Sequence, residues 1–462
     1  MKRSVIALSL LLLGLVSSGA VCRSSGTQPD PMVITYWTVF NEEENIKAVV
    51  DAFTATHPYI SFEVKQFQPD EYEGQLIQAW AEGRGPDIFS LPNSHIGAFQ
   101  ELIAPLPAST TVTAVTTKTT LGRKETVVTD ETKASTSARE ISALFPQAVY
   151  DDVIKVNQSA KEGQPKEQVY GLPLSFDTLV LYYNKDLLDQ ANIPVPATTW
   201  DDFVKQVPTL TLVDVNDNII QSGAALGTSE NVPRFFDIVS LLMMQNGAVM
   251  TDGSNVQFDR EIDLAGQQFL PGVQAVEFYT SFATPTVEWY SWNAEQEDAL
   301  ESFIAGKTAY FIGYHYHLAD IQARGDQLNF DISPIPQVDL TAAVNYPNYW
   351  VETVSVNSSY VDEAWAFIEE LTTNETNVAA ILEVTEEPAA LRNLIEKQKE
   401  DFVLAIFSNQ SLTAQSWYAG TDPEAAEDEF ADMITIINEG RLDTLTAVEN
   451  TADKIELTYE TK

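Results

Sequence analysis

The chain has 462 residues, and 26 Lys and Arg against 67 Asp and Glu give a formal charge of −41. That balance excludes a general nucleic-acid binder and a protein docked on an anionic membrane through a basic patch, since nothing here neutralises a phosphate surface. Apolar residues at 44% supply sizeable cores and rule out global disorder, and the single cysteine rules out a disulfide framework, a cysteine zinc site and a CxxC redox pair.

The N-terminus places Lys2 and Arg3 before an apolar run over residues 5–16, then small residues from Ser17 to Ala20, then Cys22. A charged start, a short apolar core and a small-residue exit read as a signal peptide over 1–21. The pattern is similar to a bacterial lipoprotein signal, in which the cysteine is lipidated and becomes the new N-terminus. Ordinary cleavage after Ala20 and an uncleaved membrane anchor fit the same residues. Residues 22–32 form a polar tether with Pro29 and Pro31. The expected location is extracytoplasmic, anchored by lipid to the outer face of the cell membrane.

From Val33 the body begins. Residues 33–37 are β-rich, and Ile46, Val49, Val50 and Phe53 follow at helical spacing. Residues 60–64 alternate as a strand, residues 72–83 carry a second amphipathic helix, and Gly85-Pro86 breaks it before a strand from Asp87. This βαβαβ order predicts a parallel sheet covered by helices, with ligands beyond the C-terminal strand ends. Trp37 to Asn41 and Leu91 to Ser94 then fall on a cleft rim. Residues 109–137 hold eleven Thr in an alternating pattern around Leu121-Gly122. They predict an exposed hairpin, and Lys118, Arg123, Lys124 and Lys133 make it a basic island.

Other motifs have structural readings. Thr199 caps a helix that Asp201 and Asp202 favour, with Trp200 packed at its start. Gly306 ends a helix with a left-handed turn. Trp365 lies in the apolar stripe of Ala364, Phe367, Ile368 and Leu371, and Trp80 is expected in a core as well. Asp214 to Asn218 resembles part of a calcium loop but lacks its central Gly and terminal Glu, so a hairpin turn is expected. His315-x-His317 on a strand would suit a metal, yet no further ligand set is visible; neither metal nor cofactor is expected.

The opening ITYWTVFNEEENIKAVVDAFTATHPYISFEV, then AEGRGPDIFSLPN, resembles the sugar-type extracellular solute-binding proteins of ABC importers, the family of maltose-binding protein. Further blocks keep the family's order: residues 170–203, ALESFIAGKTAYFIG, DISPIPQ, DEAWAFIEELT and SWYAG. The resemblance implies a periplasmic-binding-protein-like α/β fold of two lobes around a ligand cleft. Lobe one would be 33–175 plus 351–385 with the Thr-rich insertion, and lobe two 177–350 plus 386–462. Crossings would fall near 175–177, 349–352 and 386–388.

Sugars present apolar C–H faces and rings of hydroxyls, which aromatic and hydrogen-bonding side chains cover. Trp37, Trp292 (or Trp289), Trp350 and Trp417 lie outside helical stripes and are candidates for the apolar role. The resemblance aligns Asp177 with a binding carboxylate, Tyr316 with a stacking aromatic and Trp417 with a late aromatic that stacks on sugar. Asn41 and Glu42 follow the first strand. Asn93 and Ser94 stand where the family has a carboxylate and an aromatic. The implied function is capture of a carbohydrate, an oligosaccharide above all, and its delivery by a monomeric protein to membrane permease subunits, with no catalytic residue. A carbohydrate-active enzyme is the first alternative, although no GxSxG, HExxH or P-loop occurs. The same fold used for sensing or for a non-sugar ligand is the second.

Overall fold

A computed structural model describes residues 29–120, 123–157, 167–264 and 266–459. The signal run and Cys22 lie outside the described residues. Two five-stranded sheets organise the rest. In the first, Ile60–Gln66, Met32–Thr38 and Ile88–Pro92 run parallel, and Trp350–Val354 and Leu172–Pro173 complete the order. Trp350–Val354 is antiparallel to both of its neighbours. In the second sheet Ile219–Ala224 and Thr308–Gly313 are parallel, and Val180–Asn184 lies antiparallel between Thr308–Gly313 and Phe330–Pro334.

The βαβαβ start is as the periodicity predicts. The helix Glu43–Thr56 buries Ile46, Val49 and Phe53 against the first sheet, and Pro69–Ala81 buries Tyr72, Leu76 and Ala79. Trp80 packs edge-on against Phe89, with ring centres 4.9 Å apart. A Cβ at Gly85 would stand 2.0 Å from the Trp80 ring, so the turn that ends this segment demands glycine. Trp365 is fully buried and its indole N–H donates to the Ala104 carbonyl at 2.9 Å. Thr199 accepts from the Asp202 N–H at 3.2 Å and starts the helix Trp200–Leu210, whose Trp200 packs on Phe203 and Phe278.

Each sheet carries its own apolar core. One gathers residues from Ile34 to Phe176, then Tyr349 to Ile395, with Ala414; the other runs from Leu179 to Tyr346 and from Phe407 to Ile455. This corrects one expected boundary. Ala389, Ala390, Leu391, Leu394 and Ile395 pack in the first core, not with the second sheet. The fold is a two-lobe α/β structure with its lobes joined at a hinge. There Asp177–Thr178 pairs with Pro347–Asn348, and the Phe176 N–H donates to the Pro388 carbonyl at 2.9 Å.

The Thr-rich segment forms strands Ser109–Thr120 and Arg123–Ala134, antiparallel from Ser109↔Ala134 to Thr120↔Arg123. Its base is docked on the first lobe. Val112 is buried, Asp362 accepts the Thr111 N–H at 3.0 Å, and the Tyr59 hydroxyl accepts the Thr113 N–H at 3.1 Å. Asp214 closes the expected turn by accepting the N–H groups of Asn216 and Asn218. His315 and His317 sit past the end of Thr308–Gly313 rather than on it, and the buried His317 takes the Tyr314 N–H on Nδ1 at 3.0 Å.

Candidate functional site

Beside the hinge, between the two cores, lies a cavity of about 750 Å³. The first lobe contributes Phe40 and Asn41 from the loop after its first strand, and Trp350 and Glu352 from its antiparallel strand. The hinge contributes Ser175, Asp177, Asn348 and Glu387, and the second lobe His315, Tyr316 and Gln322. The loops after Met32–Thr38 and Thr308–Gly313 open here, and the antiparallel strand Trp350–Val354 begins here.

The aromatic groups are held from behind. Phe40 meets Trp350 edge-on at 5.4 Å, and Trp350 leans on Tyr72 at 5.8 Å. Tyr316 stacks at 5.8 Å on the buried Tyr314 ring, whose hydroxyl donates to Asp237 at 2.7 Å. Asp237 also accepts from Arg234 Nε at 2.7 Å. Arg234 is a non-glycine residue with φ 62° and ψ 24° at the start of Phe235–Gln245, and its guanidinium lies over Tyr314 at 5.5 Å. Such left-handed backbone is costly for a residue that carries a Cβ, and the Arg234 side chain is anchored by this network.

The polar groups are satisfied by the protein in part. Glu352 accepts from Asn41 Nδ2 and from Ser90 Oγ, both at 2.7 Å. Burial nevertheless pushes its carboxyl up to about 7, against the hydrogen bonds of Ser90, Tyr36 and Asn41. Asp177 accepts the N–H of Thr178 and the N–H of His315, each at 2.7 Å. Burial raises its carboxyl well above the usual range, and the neighbouring Glu387 adds to the rise. Burial alone lowers His315 to about 4, which leaves it neutral. A second polar knot brackets the hinge: Asp152 accepts from Tyr349 at 2.6 Å, Ser416 at 2.5 Å and Asn93 at 3.0 Å.

Of the residues expected to meet a ligand, the cavity gathers Asn41, Asp177, Tyr316 and Trp350. The others stand elsewhere. Trp37 packs on Phe67 at 4.6 Å with Lys65 above it, away from the cavity lining. Glu42 is exposed at the start of Glu43–Thr56. Asn93 belongs to the Asp152 knot. Trp292 is fully buried, with its indole on Asn231 at 2.9 Å, and Trp289 donates to Ser281. Trp417 is 8% exposed, set among Phe236, Phe258 and Phe430, and donates to Ser240 at 2.9 Å. Both Trp292 and Trp417 are thus corrected to core positions: a loop Trp outside a helix stripe still packs when a tertiary acceptor awaits its N–H. Reading the sequence missed Phe40, Glu352 and Glu387. A Glu within the apolar run Trp350–Val354 was the available signal for Glu352.

Residues 48–402 match the family described as bacterial extracellular solute-binding protein. The chain belongs to this family. It therefore works outside the cytoplasm as a binding protein of a two-lobe fold. It is 22% identical over 433 residues to the galactooligosaccharide-binding protein of Bacillus subtilis (strain 168), spanning 92% of this chain and 86% of that one. It is 28% identical over 249 residues to maltodextrin-binding protein MdxE of the same organism, spanning 52% of this chain and 55% of that one. Among solved structures, a cyclo/maltodextrin-binding protein complexed with maltotetraose matches with TM-score 0.67 at 17% identity, over 94% of this chain and 99% of that one. A Thermotoga lettingae TMO solute-binding protein bound with alpha-D-tagatose matches with TM-score 0.66 at 19% identity, over 93% and 100%.

Two predictions follow the geometry of this binding protein. Trp417→Ala should cost about 3–5 kcal/mol of stability in urea unfolding, as large core deletions do; unchanged stability would return Trp417 to the cleft. Glu352 titrates at about 7 when folded against 4.5 ordinarily, so its contribution is full below pH 4.5 and is lost as pH rises through 7. Glu352→Gln should therefore remove on the order of 3 kcal/mol of the stability decline between those limits. Parallel stability–pH curves for variant and parent would contradict the assignment.

Proposed function

We propose that this solute-binding protein captures an extracellular oligosaccharide and hands it to the permease subunits of an ABC importer, unaltered. The observation that carries this reading is the cavity itself. Phe40, Tyr316 and Trp350 offer apolar faces, and Asn41, Asp177, Asn348 and Gln322 offer hydrogen-bonding groups beside them. That pairing suits pyranose rings, which are apolar above and below and polar around the edge. The relatives named for galactooligosaccharide and maltodextrin support the same ligand class. Asn41, Asp177, Tyr316 and Trp350 are the proposed contacts, and the two lobes hinge about Asp177–Thr178 and Pro347–Asn348 to enclose the sugar.

In this reading the buried carboxyls bind rather than react. Asp177 and Glu352 each have both oxygens engaged by protein N–H or O–H groups, which suits positioning and orients what capacity remains toward ligand hydroxyls. Cys22 carries the lipid that tethers the protein to the membrane through residues 22–32.

A glycan panel read by thermal unfolding tests the ligand class. A true ligand at 100 times its Kd adds about 2.7 kcal/mol of stability, and the glycan returns intact. Tyr316→Ala should weaken that glycan by about 1–3 kcal/mol, the value of the apolar area a ring covers. Consumption of the glycan, or full affinity in Tyr316→Ala, would overturn the reading. For the tether, Cys22→Ala should move the protein from the membrane fraction to the medium; retention would point to an uncleaved apolar helix.

A further inference from the structure

The charged side chains that line this cavity are of one sign. Asp177, Glu352, Glu383, Glu386, Glu387 and Asp401 line it, and among the described residues no Lys or Arg does. His315 is neutral there. Arg234, behind Tyr316, is already committed to Asp237 and to the Tyr314 face. An anionic group entering the cavity would meet like charge with no counter-ion from the protein, at a cost that desolvation magnifies.

Two of these carboxyls are brought together by the hinge. Asp177 and Glu387 lie on adjacent crossing segments, because Ser175 bridges Ala389 and the Phe176 N–H donates to the Pro388 carbonyl at 2.9 Å. Asp177 has one backbone N–H on each oxygen, which leaves further lone pairs on both. Glu387 is half-buried, and the Thr385 hydroxyl stands 3.5 Å from its Oε2, at the limit of a hydrogen bond. Burial pushes the Glu387 carboxyl up to about 7, against hydrogen bonds from Thr385 and Ser175, and raises Asp177 well above the usual range, so the pair holds open acceptors and a negative charge that nothing in the protein neutralises. Hydroxyl donors satisfy the acceptors alone, whereas an ammonium satisfies both and gains charge-assisted hydrogen bonds.

We infer that the cleft takes a cationic glycan, an oligosaccharide carrying an amino sugar whose ammonium seats between Asp177 and Glu387. The inference rests on the carbohydrate reading above and narrows its ligand class. Phe40, Tyr316 and Trp350 serve the rings, and the hinge carboxyls select the charge. Uronic-acid and other anionic glycans are excluded by the same groups.

Titration calorimetry on the whole mature protein tests this with matched tetrasaccharides. The α-1,4 and β-1,4 series of glucose and of galactose are each compared as the neutral sugar, the 2-amino sugar and the uronic acid, at pH 7, where the raised hinge carboxyls can still ionise. In the series that binds, the amino form should bind about tenfold or more tighter than the neutral form, as one charge-assisted hydrogen bond allows. The uronic form should bind about tenfold or more weaker, and added salt should narrow both gaps. Glu387→Gln should shrink the amino-to-neutral ratio. Should that variant fail to fold, the salt dependence of the parent protein reads the same electrostatics. Neutral and amino forms binding alike, or a uronic form binding as well as either, would overturn the inference while leaving the carbohydrate reading intact. No glycan of any charge binding would overturn both.

Discussion

Three extended segments hold the molecule together where its two cores part. Asp177–Thr178 pairs with Pro347–Asn348, and the backbone before Asp177 bonds to Pro388 and Ala389. Each crossing delivers a strand to the opposite sheet: Val180–Asn184 follows the first, and Trp350–Val354 follows the second. Each of these strands runs antiparallel to both of its neighbours. The chain therefore cannot form either sheet fully without building the hinge, and the cavity lies beside it. Side chains next to the crossings, Asp177, Trp350, Glu352 and Glu387, become its lining by position alone.

Burying carboxyls at such a place costs free energy unless donors meet them. Glu352 receives two side-chain donors and Asp177 two backbone donors, yet burial still lifts both carboxyls. A core built only for stability would place apolar residues here. In the proposed reading a hydrogen-bonding ligand would relieve this cost, and so couple occupancy to closure. The far side of the hinge is tied differently. Asp152 gathers Tyr349, Ser416 and Asn93, and a Cβ at Gly97 would stand 2.5 Å from the Ala419 carbonyl. Glycine there allows the backbone around 419–420 to approach the first lobe closely.

Local pattern and tertiary fate diverge in instructive ways. The alternation of 33–37 and 60–64, the helical stripes of Ile46 to Phe53 and the Trp365 face were legible because each buries one face of one element. Asn41 was legible because it follows the C-terminal end of a parallel strand, Trp350 because it lies outside any helical stripe, and Asp177 and Tyr316 through the family resemblance. Trp292 and Trp417 were not, since only the folded chain supplies Asn231 and Ser240 as acceptors for their indoles. The placement of 389–395 in the first core was illegible for a related reason. The apolar face of a short helix, Arg392–Gln398, states that it is buried but not against which sheet.

The central claim is that the two lobes close about the hinge on an intact carbohydrate. Small-angle X-ray scattering of the protein alone and saturated with its glycan measures this directly, with the glycan recovered afterwards for analysis. The account predicts a smaller radius of gyration on saturation and an unchanged sugar. Scattering curves that superimpose at full occupancy, or a sugar returned cleaved, would contradict it.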